Sequence, residues 1–170
     1  MFRHFLKKRR LKNDTFWFRY IYPKNLTLFD NEKLVAPEIS LGGNFSYDQK
    51  GEFYSTTTIY GYIKKEGVSD SYKTLMGILN SKLLWWYLVN TGTVLANGYF
   101  RFKPNYLKPF PLPYIPMDKS VLIESLVDEI LEAKKQNNKL LIKEKEEQLN
   151  NLVYDIYSLS KEEIETINII

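Results

Sequence analysis

Five cations, Lys73, Lys82, Arg101, Lys103 and Lys108, stand between residues 71 and 117, a stretch that holds ten aromatic rings and no Asp or Glu. Rings at that density must pack, so the stretch is expected to form a rigid, half-buried surface rather than a solvated charged face. Cations held on such a surface without compensating carboxylates suit a polyanion. The rest of the chain is polarised in the same sense. Residues 1–24 carry eight Lys or Arg against one acid, residues 25–117 nine against seven, and residues 118–170 seven against twelve, giving net charges of +7, +2 and −5. The modest overall charge of +4 therefore conceals a basic front and an acidic tail. Such a division points to nucleic acid or an anionic membrane surface.

Other chemistries are excluded by missing residue types. There is no cysteine, which removes disulfides, thiolate metal sites and thiol nucleophiles. His4 is the single histidine, so neither a His-based metal site nor a Ser-His-Asp arrangement can be assembled. Gly42-Gly43 stands alone and reads as a turn, not a phosphate loop. Asp118, Glu132 and Lys134 would sit on an exposed helix with no third ligand, so a nuclease site is not expected there. No catalytic, cofactor-binding or metal-binding residue is assigned. The basic start lacks the apolar run of a signal peptide, and Leu83–Val89 is far too short to span a bilayer. A cytoplasmic chain without a membrane segment is expected.

The elements that must position these cations follow from periodicity. Phe2–Leu11 looks like the end of a preceding basic helix, which leaves open whether Met1 is the natural start or a boundary within a longer protein. Phe16–Tyr22 and Lys33–Leu41 read as strands, the second interrupted at Pro37 in the manner of an edge or a bulge. Tyr47–Phe53 carries a hairpin signal with Gly51 at the position that needs positive φ, and Ser55–Ile63 continues as a strand. Tyr72, Leu75, Met76, Leu79 and Leu83 then recur at helical spacing, predicting two packed helices or one bent helix over Ser71–Asn90. Tyr99–Lys103 is a short strand, and the prolines from Pro109 to Pro116 make an extended connector. Two amphipathic stripes broken at Asn137-Asn138 predict an antiparallel helical hairpin, followed by a last helix opened by a capping box at Ser160–Glu163. The fold expected is α+β: a twisted, mostly antiparallel sheet with packed helices on one side, then a C-terminal helical hairpin. Two regions are expected, residues 1–117 with 1–12 as the end of a preceding helix, and residues 118–170.

Six motifs, in order along nearly the whole chain, carry a family resemblance. They are Tyr22-Pro23-Lys24-Asn25-Leu26, Lys33–Ser40, Phe45-Ser46-Tyr47-Asp48 with Gly51, Asn80-Ser81-Lys82, Gly98-Tyr99-Phe100-Arg101-Phe102 and Phe110-Pro111-Leu112-Pro113. The tail, Leu152–Ser160 and Glu162-Glu163-Ile164, agrees. The chain resembles the TaqI-like C-terminal specificity domain of type IIG restriction–modification enzymes and their adenine-N6 methyltransferase relatives. The resemblance implies a target-recognition domain for double-stranded DNA. It implies S-adenosylmethionine and Mg only in domains outside this chain, and a catalytic partner supplied by an upstream methyltransferase domain in cis or a subunit in trans. The Asn-Pro-Pro-Tyr motif of such a methyltransferase is absent, since Lys103-Pro104-Asn105-Tyr106 shares its letters but not their order. Two alternatives stay open: a standalone subunit like the type I specificity subunits, and a single-stranded nucleic-acid binder with aromatic stacking platforms.

For duplex recognition two tasks are divided among side chains. Lys64, Lys65, Lys73, Lys82, Lys103 and Lys108 suit phosphates, and the carboxylate-free stretch 71–117, with Arg101, Lys103 and their lysine neighbours, is expected to form one concave cationic wall along a duplex. Arg101 suits guanine, and Asn44, Gln49, Thr56, Thr57 and Thr58 lie on or beside the expected hairpin where base edges could be read. Each has a bland alternative: Arg101 stacked on Phe100 or Tyr106, the Thr triplet as β-formers, and Asn80-Ser81-Lys82 as the stop of one helix and the cap of the next.

Overall fold

Leu34 and Ala36, 2% and 4% exposed, alternate with Val35 and Pro37 along β1 (Lys33–Pro37), and this alternation sets which side of the strand faces the core. The protein is described here from a computed structural model that covers residues 25–55, 57–101 and 103–169. The expected helix over Phe2–Leu11 and strand over Phe16–Tyr22 lie outside the described residues. β1 runs down the middle of an antiparallel sheet, between β3 (Ser46–Asp48) and β4 (Ile59–Tyr62). It is not the edge that Pro37 suggested. Pairing with β3 ends at Val35, whereas pairing with β4 continues to Pro37, and the next residue, Glu38, donates its N–H to Thr58 O at 2.8 Å. The missing donor of Pro37 therefore falls on the side where no partner strand is left.

The turn after β3 has the expected chemistry but not the expected partner. Gly51 adopts φ 68°, and a Cβ there would lie 2.3 Å from Asp30 O, so only glycine fits. The Asp48 carboxylate closes the turn by accepting from the N–H groups of Glu52 and Phe53, both at 3.0 Å. No hairpin follows, because β3 and β4 each pair with β1 rather than with one another.

After Glu38 the chain enters a second three-stranded antiparallel sheet as β2 (Ile39–Ser40), which pairs with β6 (Phe100–Arg101), itself paired with β5 (Thr93–Val94). One residue, Glu38, thus separates the two sheets along the chain. Helices supply the rest: α1 (Tyr72–Leu79), α2 (Lys82–Thr91), the single turn α3 (Pro104–Leu107), α4 (Met117–Lys135), α5 (Lys139–Ile156) and α6 (Lys161–Asn168). The architecture is α+β. Side-chain caps mark four helix starts: Ser71 for α1, Ser81 for α2, Asn138 for α5 and Ser160 for α6, the last with the reciprocal Glu163 contact of a capping box. Asn137 turns the chain at φ 54°, so α4 and α5 fold back on each other as the expected helical hairpin. Among the described residues no helix is long and apolar enough to cross a membrane.

The helical hairpin is not an appendage. α4 packs along α1, and Ile78, Leu84, Leu88, Ile123 and Val153 share one apolar core at 0–1% exposure. Polar contacts pin the same seam: Thr74 Oγ1 lies 2.7 Å from Ser120 Oγ, and Ser71 Oγ donates to Glu124 at 2.7 Å. Close approach rests on Gly77, where an added Cβ would meet Ile123 Cγ2 at 2.5 Å. Overpacking of that kind costs about 1–3 kcal/mol, and alanine returns roughly 1 kcal/mol of helix propensity. Gly77→Ala should therefore be destabilising by about 1 kcal/mol net, read as a lower urea midpoint at unchanged slope.

Candidate nucleic-acid interface

Directly opposed residues of paired strands share a face. In the second sheet Ile39, Arg101 and Thr93 form one such row. In the first, Val35 lies between Ser46 and Gly61, and Pro37 opposes Ile59. These rows adjoin across Glu38 and present an open groove of about 550 Å³ lined by Val35, Pro37, Ile39, Asn44, Ile59 and Tyr99. Its rim is apolar yet solvent-exposed: Ile39 is 43%, Leu41 57% and Tyr99 42% accessible. An apolar strip with polar tips suits the edges of stacked bases, where thymine methyl groups alternate with hydrogen-bonding atoms.

Arg101 opposes Ile39 across the second sheet but is not among the residues that line the groove. Its Nε lies 3.1 Å from Glu38 Oε1, and the Arg101 side chain is 39% exposed while that of Glu38 is 15%. The contact is electrostatic rather than a well-aligned hydrogen bond, since Nε is buried without one. Among the described residues, no acceptor engages the terminal nitrogens of Arg101 and no ring stacks on it. Phe100 instead packs edge-on against Trp85, and the Tyr106 hydroxyl lies 2.7 Å from Thr93 Oγ1. Glu38 is held from the other sheet, where Tyr60 OH donates to its Oε2 at 2.9 Å. Burial and then the Glu38 carboxylate raise the Tyr60 phenol above its ordinary value, with Arg101 opposing the shift. The hydroxyl thus stays a donor at neutral pH. Tyr60, Glu38 and Arg101 form a chain that bridges the two sheets.

The remaining candidates are divided rather than gathered into one wall. Asn44 lines the groove, exposed, with its amide against Ser40 Oγ. Thr57 is exposed in the turn that enters β4, beside the Thr58 carbonyl that meets Glu38. Lys103 follows Arg101 by two residues and precedes α3, Lys108 ends that turn, and both are exposed. Lys64 and Lys65 lie beyond β4; the Lys64 ammonium donates to Asp70 O at 2.8 Å and sits 4.9 Å from the Tyr72 ring centroid, while Lys65 is exposed. Lys73 and Lys82 turn to the C-terminal helices: Lys73 Nζ bonds Asp128 of α4 at 2.7 Å, and Lys82 Nζ bonds Asn168 of α6 at 3.1 Å.

Asn80-Ser81-Lys82 is a structural corner. The Asn80 amide donates to Phe45 O at 2.9 Å and accepts from Phe45 N–H at 2.8 Å, in place of a strand partner. Ser81 caps α2, and the backbone N–H of Lys82 donates to Asn150 Oδ1 of α5 at 2.7 Å. A larger cleft of about 850 Å³ opens beside this corner, between β3, α1 and the helical hairpin. Lys82, Lys134 and Lys143 line it with Glu146 and Glu147, and Lys134 is paired with Glu146 at 3.1 Å. The three lysines and two glutamates of this lining leave one positive charge in excess. Tyr60 and Thr93 were not singled out from sequence, and Glu38 and Tyr99 entered only as members of the family motifs, with no site role. The break in the strand at Pro37-Glu38 was the available signal.

A family model described as the TaqI-like C-terminal specificity domain matches residues 5–112. The chain belongs to this family. Every strand of both sheets lies inside the span of the specificity domain, as do α1 to α3. The solved structure of the type IIL restriction-modification enzyme MmeI in complex with DNA is similar at a TM-score of 0.60 and 17% identity, over 77% of this chain. That likeness is one of fold. The chain covers 19% of the MmeI chain, so it spans less than a quarter of that enzyme's length.

Proposed function

We propose that this chain is the sequence-specific, double-stranded DNA recognition module of a type IIG restriction–modification enzyme whose adenine-N6 methyltransferase domain precedes it. Family membership and the fold shared with a restriction–modification enzyme support the reading. The observation that carries it is Arg101, a partly exposed cation that opposes Ile39 in the second sheet, next to an exposed groove lined by Asn44 and apolar side chains. In this reading Arg101 donates to guanine, Asn44 and Thr57 read neighbouring edges, and Lys103 and Lys108 hold phosphates. Lys64 and Lys65 extend the phosphate track. Lys73 and Lys82 contribute less, because their ammonium groups already bind the terminal helices.

The test is selection by the intact enzyme from a random duplex library at two salt concentrations. A single recovered motif is expected, with log affinity falling against log salt by about 0.9 per phosphate neutralised. Charge reversal at Lys103 and Lys108 should flatten that slope by about one phosphate each while leaving the motif unchanged. Recovery of no motif would end the reading, as would a preference for single strands.

A further inference from the structure

We infer that Glu38, held by Tyr60, is a positioning residue that aims the Arg101 guanidinium at one base pair and so sets specificity there. The inference rests on the reading of Arg101 as a base-contacting residue and goes beyond it. A guanidinium offers five N–H donors in a planar fork. Glu38 Oε1 lies 3.1 Å from Nε and restrains the guanidinium by charge through that nitrogen, so the terminal nitrogens stay available for guanine O6 and N7. Without this contact the side chain would be free to swing to a phosphate, where it would add affinity but no information.

Glu38 is itself over-determined. Its N–H is fixed to Thr58 O at 2.8 Å on β4, its Oε2 receives the Tyr60 hydroxyl at 2.9 Å, and the carboxylate is largely buried. It sits at the one residue between β1 and β2, so the anchor comes from one sheet and the anchored side chain from the other. A carboxylate on a DNA-facing surface repels phosphates, which makes its placement unfavourable for affinity in general. That conflict gives the inference a signature that a merely structural acid does not share.

In the intact enzyme, Glu38→Gln keeps the volume and the acceptor for Tyr60 but removes the charge. Discrimination at one G·C position should fall about tenfold or more, while binding to non-cognate duplex tightens about twofold. The other positions should keep their preference. Arg101→Ala should relax the same position, and the double variant should lose nothing further there, because the two residues act as one unit. Tyr60→Phe, which deletes only the hydroxyl, should relax that position by a few-fold and serves if the Glu38 variant folds poorly. Full specificity retained in these variants, or an equal loss at every position, would overturn the role of Glu38 while leaving sequence reading intact. An unaltered enzyme that selects no motif would instead remove the proposed function, and the inference with it.

Discussion

Replacing Asp48 with alanine should destabilise the fold by about 3–5 kcal/mol, the largest effect expected of a single substitution in this chain. Asp48 and Lys33 form an ion pair at 2.5 Å with both side chains 2% exposed, and Lys33 Nζ also donates to Phe29 O at 2.6 Å. Removing the carboxylate strands a buried ammonium and leaves the N–H groups of Glu52 and Phe53 without their acceptor. Urea unfolding of Asp48→Ala checks the magnitude. The double variant Lys33→Met with Asp48→Leu should recover much of the loss, since replacing both charges removes the desolvation penalty. Recovery stays incomplete by about 1 kcal/mol for each turn N–H left unpaired. Acidity should act through the same pair. Burial alone would push the Asp48 carboxyl up, but the Lys33 ammonium and the two turn N–H groups outweigh it and hold it below its ordinary value. A depressed carboxyl contributes stability that is complete above its unfolded value of about 3.9 and is lost as pH falls through the folded value. The acid limb of the stability curve should therefore shrink in Asp48→Asn.

Arg101→Ala should weaken binding of the intact enzyme to its cognate duplex by about 1–3 kcal/mol, a loss of roughly fivefold to 150-fold. Non-cognate binding should change far less, because a base contact carries information whereas phosphate contacts carry most of the non-specific affinity. Stability should also fall somewhat, because the Glu38 carboxylate, 15% exposed, loses its countercharge and keeps only the Tyr60 hydroxyl, so duplex binding is compared under conditions where the variant is folded. Titration of cognate and scrambled duplexes at one salt concentration separates the two effects. An equal drop on both would assign Arg101 to phosphate instead.

The helices were legible because their signals are local. Apolar spacing and the caps at Ser71, Ser81, Asn138 and Ser160 announce α1, α2, α5 and α6 within a few residues of each boundary. Strand pairing was less legible because register is decided between distant segments. Pro37 locally argues for an edge, yet β1 is central, since the side lacking a donor is the side where β3 has already ended. The turn at Gly51 was visible and its hairpin was not formed, because a turn specifies how the chain bends and not which strand receives it. For the proposed interface, Arg101, Asn44 and Thr57 are candidates by residue type alone. The engagement of Lys73 by Asp128 and of Lys82 by Asn168 spans 55 and 86 residues and leaves no mark in either neighbourhood. Glu38 was given no site role for the complementary reason: its contacts with Tyr60 and Arg101 join segments 22 and 63 residues away.

The corner at Asn80-Ser81-Lys82 has a consequence for how members of this family could trade target sequences. Phe45 has both backbone groups matched to one amide, and Lys82 is moored to α5 and α6. A chimera that transplants the groove strands while keeping residue 45 and residue 80 from the same parent preserves this joint. A crossover that brings in a residue without a side-chain amide at position 80 leaves both backbone groups of Phe45 unmatched, and such hybrids should assemble poorly however well their grafted surface suits a new site.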